Sequence, residues 1–340
     1  MELNKTVNRL LMEDAEGISR SLRLRTYAVL CLDEECGLLE WVNHTHSLRQ
    51  CVVESMTIMG KTPPRLQELL APYNEMQKTH GMDIEKLVEE YRRLVLNNNK
   101  PCLHRWFLKT FQDATKWLEA RESFTRSMAV WSIVGHIVGL GDRHAENILI
   151  DSVSGDCVFV DFDCLFDKGL SLSVPEIVPF RLTPNIVDAF GVLGIEGLFR
   201  QSMEVALRAL RENKESLLSI LDPFLNDPTV AWSRKGRAQL NSASSKSSRV
   251  VTESSSNDAK ETLLRIRGRL EGVYNIHHPK LNAILKRYEE QKKAPPSKGL
   301  CAQRGEDFHL SVQGQVQRLI EEAIAEENLA QMYIGWQPWL

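Results

Sequence analysis

The stretch Gly139–Asp163, GLGDRHAENILIDSVSGDCVFVDFD, decides how the rest of the chain is read. Two apolar runs, Ile148–Ile150 and Cys157–Val160, flank DSVSGD, so they read as the strands of a β-hairpin. With the turn centred on Ser154–Gly155, pairing about residue 154 sets Asn147 opposite Asp161. A carboxamide oxygen and a carboxylate at a hairpin mouth make half of a Mg²⁺ site, because that ion takes a few hard oxygen ligands and completes its shell with phosphate and water. Just upstream, Asp142 and His144 sit on a loop that leaves a helix end. An Asp there can accept a proton from an attacking hydroxyl, and a His can set a positive or hydrogen-bonding group against a phosphoryl group. Any one of these residues is also ordinary turn material. The ordered set, Asp-x-His-x-x-Asn, then hairpin, then Asp-Phe, points to phosphoryl transfer.

Working outward, Phe124–Leu140 reads as a long apolar helix that ends at Gly139 and Gly141. Near the start, Arg25–Leu32 and Leu38–Val42 read as two strands, with DEEC and Gly37 forming the turn. After Ser47 the pattern is helical, interrupted by Pro63, Pro64, Pro72 and Pro101, and further helices are expected near Glu196–Arg211 and Lys214–Leu221. A few strands followed by many helices make an α+β unit. Trp41 falls at the boundary between the strand pair and the helical body, where a cleft between two lobes would lie.

Composition narrows the class. The 340 residues carry a net charge of −3, with 43% hydrophobic and 26% charged residues, which is ordinary for a globular protein and excludes a chain that is basic throughout. Charge is nonetheless uneven: Arg234–Gly299 holds 15 Lys and Arg against 6 Asp and Glu, a net of +9, leaving −12 for the rest. The run Asn241–Lys260 within it is Ser-rich and poor in apolar residues, and reads as a flexible linker. Helical spacing returns over Leu263–Tyr288, and QKKAPPSKG breaks it again. No aromatic residue interleaves the Ser-rich run, so a solvated segment is expected rather than a nucleic-acid surface. The seven cysteines form no CxxC pair and are odd in number, which argues against a zinc site or disulfide frame. The charge-free stretch Ser127–Gly141 is too short for a membrane span, which needs about 20 apolar residues. The N-terminus has no apolar leader region.

Two further segments bear on the acceptor. Asp161–Thr183 carries Asp161, Asp163, Asp167 and Glu176 against only Lys168 and Arg181. An anionic lipid head group calls for a cluster of cations, so this acidic segment favours a peptide hydroxyl. At the end of the chain, Val312, Val316, Leu319, Ile320 and Ala323 share one helical face, and Tyr333, Trp336 and Trp339 follow at three-residue spacing.

The string GLGDRHAENIL…VDFD resembles the catalytic and metal-binding loops of the phosphatidylinositol 3-kinase-related protein kinases, which order the loop Asp-Arg-His where ordinary protein kinases have His-Arg-Asp. The resemblance extends through RTYAVLCLDEECGLLEWVN, PEIVPFRLTPNIVDAFGVLGIEGLFR and the ending QMYIGW…W, which is similar to a FATC segment, and it points to the checkpoint branch of the family. It implies a bilobal kinase fold with residues 1–42 as a partial N-lobe and hinge, 43–233 as the helical C-lobe, 234–307 as a basic flexible linker with a possible helix, and 308–340 as a FATC-like unit. It implies Asp142 as catalytic base, His144 facing the γ-phosphate, and Asn147 and Asp161 as ligands of Mg²⁺ (or Mn²⁺). Glu40, Trp41 and Val42 would be the hinge beside the adenine of ATP, and Tyr27, Leu39, Leu149 and Val160 would line the nucleotide pocket. The implied function is phosphorylation of Ser or Thr followed by Gln, in DNA-damage and replication-stress signalling in the nucleus. Implied partners are a preceding helical solenoid and an adaptor protein, with no membrane and no sequence-specific nucleic-acid contact. A phosphoinositide lipid kinase and a non-catalytic scaffold are the alternatives. Ala145 and Asp163 depart from the usual pattern. No glycine-rich turn precedes residue 41, and Lys5 is the only lysine before residue 61 and reads as helical. The expectation is therefore an incomplete N-lobe, exposed Val29 and Leu38, and a chain that is not a competent kinase by itself.

Overall fold

The computed structural model describes residues 1–33, 36–63, 66–80, 83–226, 248–273 and 309–340, with the backbone alone for 248–257. Two helices open the chain, α1 (Glu2–Glu13) and α2 (Ala15–Ser19), and Asp14 caps the second by accepting the Gly17 N–H at 2.8 Å. The expected strand pair follows in shorter form. Strands β1 (Val29–Cys31) and β2 (Gly37–Leu39) pair antiparallel with Leu30 opposite Leu38. The ends of the expected runs, at Arg25 and Val42, lie outside this ladder.

The second sheet holds the hairpin between Asn147 and Asp161. Strand β3 (Thr45–Ser47) runs into α3 (Leu48–Ile58), whose start Ser47 and Gln50 close as a reciprocal capping box. β3 pairs with β4 (Ile148–Asp151), which pairs with β5 (Cys157–Phe159), giving a three-stranded antiparallel sheet in the order β3-β4-β5. The β4–β5 hairpin is in the expected place but one residue off the expected register. Ile148 lies opposite Phe159, and Val160 N–H donates to the Asn147 carbonyl at 3.1 Å, so Asn147 faces Val160 rather than Asp161. The reason is the turn. Asp151 and Asp156 close a four-residue loop, in which the Asp151 carboxylate accepts the N–H groups of Val153 and Ser154 and Gly155 takes φ +78°. An even loop centres the pairing between residues 153 and 154.

Helices α4 (Leu66–His80), α5 (Ile84–Tyr91) and α6 (Leu103–Thr110) precede α7 (Ala114–Val138), the central rod. α7 begins ten residues before the expected start because Asp113 caps it, and it ends where Gly139 adopts a left-handed φ of +61°. Its second half is buried on every side, from Met128 to Val134, as befits a helix in the middle of a core. Trp131 stacks on Phe159 at 4.7 Å and donates its indole N–H to the Cys157 carbonyl, fixing the sheet to the rod.

Helices α8 (Pro184–Phe190), α9 (Leu198–Glu212) and α10 (Lys214–Leu225) complete the body. Beyond them a helix runs over Ser248–Glu271, which corrects the linker expectation for residues 248–260. Ala259, Ile266 and Leu270 bury one face of this helix, and Arg267 reaches Glu215 of α10 at 2.8 Å. Its packed half carries the polar half as a continuous helix, which composition alone could not show. The rest of the expected linker, 234–247 and 274–307, lies outside the described residues. A helix over Val312–Ile324 buries the predicted face of Val316, Leu319, Ile320 and Ala323, a short helix follows over Glu326–Leu329, and the last residues tuck Trp336, Trp339 and Leu340 into the core. Among the described residues no helix is long and apolar enough to cross a membrane.

Candidate active site

The loop between α7 and β4 is held by its own backbone and by one arginine. Asp142 adopts φ +57° and Asp161 φ +60°, left-handed conformations that a non-glycine residue keeps only when its surroundings hold it there. Asn147 donates from its carboxamide to the Asp142 carbonyl at 2.8 Å, and its own N–H donates to the His144 carbonyl at 3.0 Å. That bond sets the amide so that its oxygen, the atom a hard cation prefers, turns away from the Asp142 carbonyl.

Arg143 is buried beneath the loop. Its guanidinium donates to the Val160 carbonyl at 2.7 Å, to the Asp161 carbonyl, and to the Asn147 carbonyl at 3.5 Å, while Nε donates to the Gly141 carbonyl at 3.0 Å. It also lies 5.7 Å over the Phe159 ring and 6.0 Å over Phe162. Burial lowers its pKa from the ordinary value, and Asp142, Glu176 and Asp161 oppose that shift. Arg143 thus ties the Asp142, Asn147 and Asp161 segments together. In the sequence it stands out only as the middle letter of a motif. By sequence Glu176 is one acid of an acidic segment, yet its carboxylate accepts the Asp142 N–H at 2.6 Å.

His144 is half-buried, and its Nδ1 accepts the Glu146 N–H at 3.2 Å. Asn147 is buried and Asp161 is exposed, with Asp161 Oδ1 accepting the Asp163 N–H at 3.1 Å. Asp163 is solvent-exposed. Among the described residues no three His, Cys, Asp or Glu side chains converge as a metal cage. One amide oxygen and one carboxylate suit a cation that arrives with phosphate and water as its other ligands.

The residues expected around the nucleotide divide in two. Tyr27 is buried, and burial pushes its phenol above the ordinary pKa, with Arg143 pulling it down and Asp161 adding to the rise; it therefore senses both charges of the loop. Leu149 and Val160, on the hairpin, are half-buried. Val42 is half-buried too, whereas Glu40 is exposed, Leu39 is 70% exposed and Trp41 84%. Glu40 is anchored at its backbone, donating N–H to the Ala28 carbonyl at 2.8 Å, and its carboxylate accepts the Ala28 N–H at 2.7 Å. The Val42 carbonyl accepts the Thr45 hydroxyl at 2.8 Å, which leads the segment after β2 into β3.

Comparison with known proteins places these features in a wider group. A family model described as phosphatidylinositol 3- and 4-kinase matches residues 1–234, and a FATC domain model matches residues 309–340. The serine/threonine-protein kinase ATR of Oryza sativa subsp. indica is 40% identical over 345 residues, an alignment that covers 100% of this chain and 11% of that protein. The protein kinase rad3 of Schizosaccharomyces pombe is 38% identical over 337 residues, covering 99% of this chain and 12% of its own length. The chain thus spans about a ninth of the curated relatives it matches. Among solved structures, the FAT and kinase domain of CtTel1 superposes with a TM-score of 0.74 at 29% identity, covering 99% of this chain and 20% of that one.

Proposed function

The chain belongs to the phosphatidylinositol 3- and 4-kinase family, in the branch of phosphatidylinositol 3-kinase-related protein kinases that ends in a FATC domain, and from that premise we propose that it carries the phosphoryl-transfer machinery of a serine/threonine protein kinase. Asp142 takes the proton of the acceptor hydroxyl as it attacks, and His144 faces the γ-phosphate of ATP. Asn147 and Asp161 hold Mg²⁺ or Mn²⁺, whose charge offsets that on the transferred group. Tyr27, Leu39, Leu149, Val160 and the hinge Glu40–Val42 take the nucleotide, with Trp41 as the stacking wall. Residues 1–42 serve as the N-lobe side of the cleft, 43–233 as the C-lobe and 308–340 as the FATC unit.

The observation that carries a peptide acceptor over a lipid is the state of the two cations in Asp161–Thr183. Arg181 is buried and donates to the carbonyls of Trp336, Gln337 and Leu340, and Lys168 donates to the Asp163 carbonyl at 2.9 Å. A phosphoinositide head group needs cations turned toward it. Acceptor sites followed by Gln, checkpoint signalling, a nuclear location and association with a helical solenoid and an adaptor complete the same reading.

The test is phosphoryl transfer from ATP to a Ser-Gln peptide and to phosphoinositide vesicles. It is run on the 340-residue chain and on a chimaera in which the rice relative supplies the residues N-terminal to the matched part. Peptide labelling should fall by about 10³-fold or more in Asp142→Asn and Asp161→Ala, because this chemistry rests on positioning and charge. Equal turnover in either variant removes the assignment, and comparable incorporation into lipid reverses the choice of acceptor.

A further inference from the structure

We propose that Glu176 is a positioning residue for the catalytic loop, holding Asp142 in its left-handed conformation through the Asp142 backbone N–H. The proposal rests on the reading of Asp142 as the base. A non-glycine residue at φ +57° needs partners that over-determine it. Asp142 has one on each side: Asn147 binds its carbonyl at 2.8 Å, and Glu176 Oε2 accepts its N–H at 2.6 Å. The first partner is part of the metal site. The second comes from a segment 34 residues further on and takes no part in the roles assigned above.

The carboxylate lies in a slot that only glycine leaves open. A Cβ on Gly141 would sit 2.9 Å from Glu176 Oε2 and 3.0 Å from Gly169 Cα, and one on Gly169 would sit 3.0 Å from the same oxygen. Neither glycine has a positive φ, so space rather than backbone freedom calls for glycine here. Backbone bonds align the slot: Gly141 N–H donates to the Cys164 carbonyl at 2.7 Å, and Glu176 N–H to the Gly169 carbonyl at 3.1 Å. Glu176 therefore joins two stretches that must move together if the base is to stay in register with the acceptor. When the Asp161–Thr183 segment is displaced, Asp142 loses its N–H partner.

Glutamine separates this role from a need for charge, because its amide oxygen can accept the same N–H. In the chimaera, Glu176→Ala should lower kcat by about 30- to 100-fold, with KM for ATP and peptide within about two-fold, as expected for a misplaced catalytic group. Glu176→Gln should recover most of that loss. In the 340-residue chain, amide hydrogen exchange of the Gly139–Glu146 loop should speed up in Glu176→Ala and stay near wild type in Glu176→Gln. A raised peptide KM with unchanged kcat would instead make Glu176 a substrate contact, and unchanged exchange in Glu176→Ala would show that it holds nothing. Should Asp142→Asn keep full activity while the exchange pattern holds, the choice of base is wrong and the positioning of the loop stands.

Discussion

The two sides of the proposed cleft are built in opposite ways. Below it, the Gly139–Asn147 loop leans on the C-terminal segment through buried, repeatedly bonded polar groups. Arg181 donates to the carbonyls of Trp336 at 2.6 Å, Gln337 at 2.7 Å and Leu340 at 2.8 Å, and to that of Arg143 at 3.3 Å. Asn185 donates to the Trp339 carbonyl at 2.8 Å, and the Tyr73 hydroxyl reaches the carbonyls of Ala330 and Met332. Above the cleft, the β1–β2 hairpin is a single pair of three-residue strands with Val29, Leu30, Leu38 and Leu39 all exposed. The lower side is specified by what this chain buries. The upper side has backbone pairing and little packing, and a lone hairpin of that kind is marginal in water.

The largest effect should come from the lower side. Arg181→Met removes a donor from three carbonyls of the C-terminal segment and leaves that of Trp336 without one, while Leu340 keeps the Thr183 hydroxyl and Gln337 the Leu340 N–H; breaking such a buried charged network costs about 3–5 kcal/mol. Urea denaturation should show that loss together with release of the C-terminal segment, and a cost under about 1 kcal/mol would break the contrast. Burial is strong enough to lower the pKa of Arg181 itself to about 9, with Glu176 as the charge that opposes it.

A pH series sharpens the same side. Burial lifts the Glu176 carboxyl from 4.5 to about 7, against the Asp142 N–H that favours its ionised form, while the charge of Asp142 adds to the rise and Arg143 and Arg181 oppose it. An acid whose folded pKa is raised contributes its stability below the unfolded pKa and loses it as pH rises through the folded one. Relative to Glu176→Gln, the wild type should therefore lose up to about 3 kcal/mol between pH 5 and pH 8. A flat difference across that range would show that the carboxyl is solvated.

Tyr73→Phe should cost about 1–2 kcal/mol in the same unfolding assay, because buried carbonyls lose a donor. The smallest effect belongs to the hairpin. Trp41→Ala should change stability by no more than about 0.5 kcal/mol, as at most exposed positions, while weakening ATP binding measured by calorimetry. A large stability loss there would mean that the upper side is packed after all.

How much of this could be read beforehand followed sequence distance. Asp142, His144, Asn147 and Asp161 lie within one short stretch around a local hairpin, so their order alone suggests the candidate site. The register slipped by one because the Asp151–Asp156 closure depends on side-chain bonds to the turn backbone, which pattern does not display. Glu176 and Arg181 were visible as charges and invisible as partners, since Arg181 meets carbonyls more than 150 residues away. The polar end of the helix over Ser248–Glu271 is illegible for a similar reason, since the end that is packed is anchored by remote partners. Arg265 and Arg269 pair with Asp167, a residue about 100 positions earlier, and no local signal announces that.

The Gly155 turn has a consequence for the order of assembly. A Cβ at Gly155 would lie 2.2 Å from the Ala120 carbonyl oxygen, so the hairpin tip touches α7 near its start while the catalytic loop leaves α7 at its end. The chain from Ala120 to Gly155 therefore closes on itself as a ring containing the rod, the catalytic loop and β4. Closing so short a ring costs little chain entropy, whereas seating the C-terminal segment requires closure over most of the chain. Pulse-labelled hydrogen exchange during refolding should find α7 and β4 protected before the residues around Trp336, so that the catalytic loop takes shape first and is fastened later.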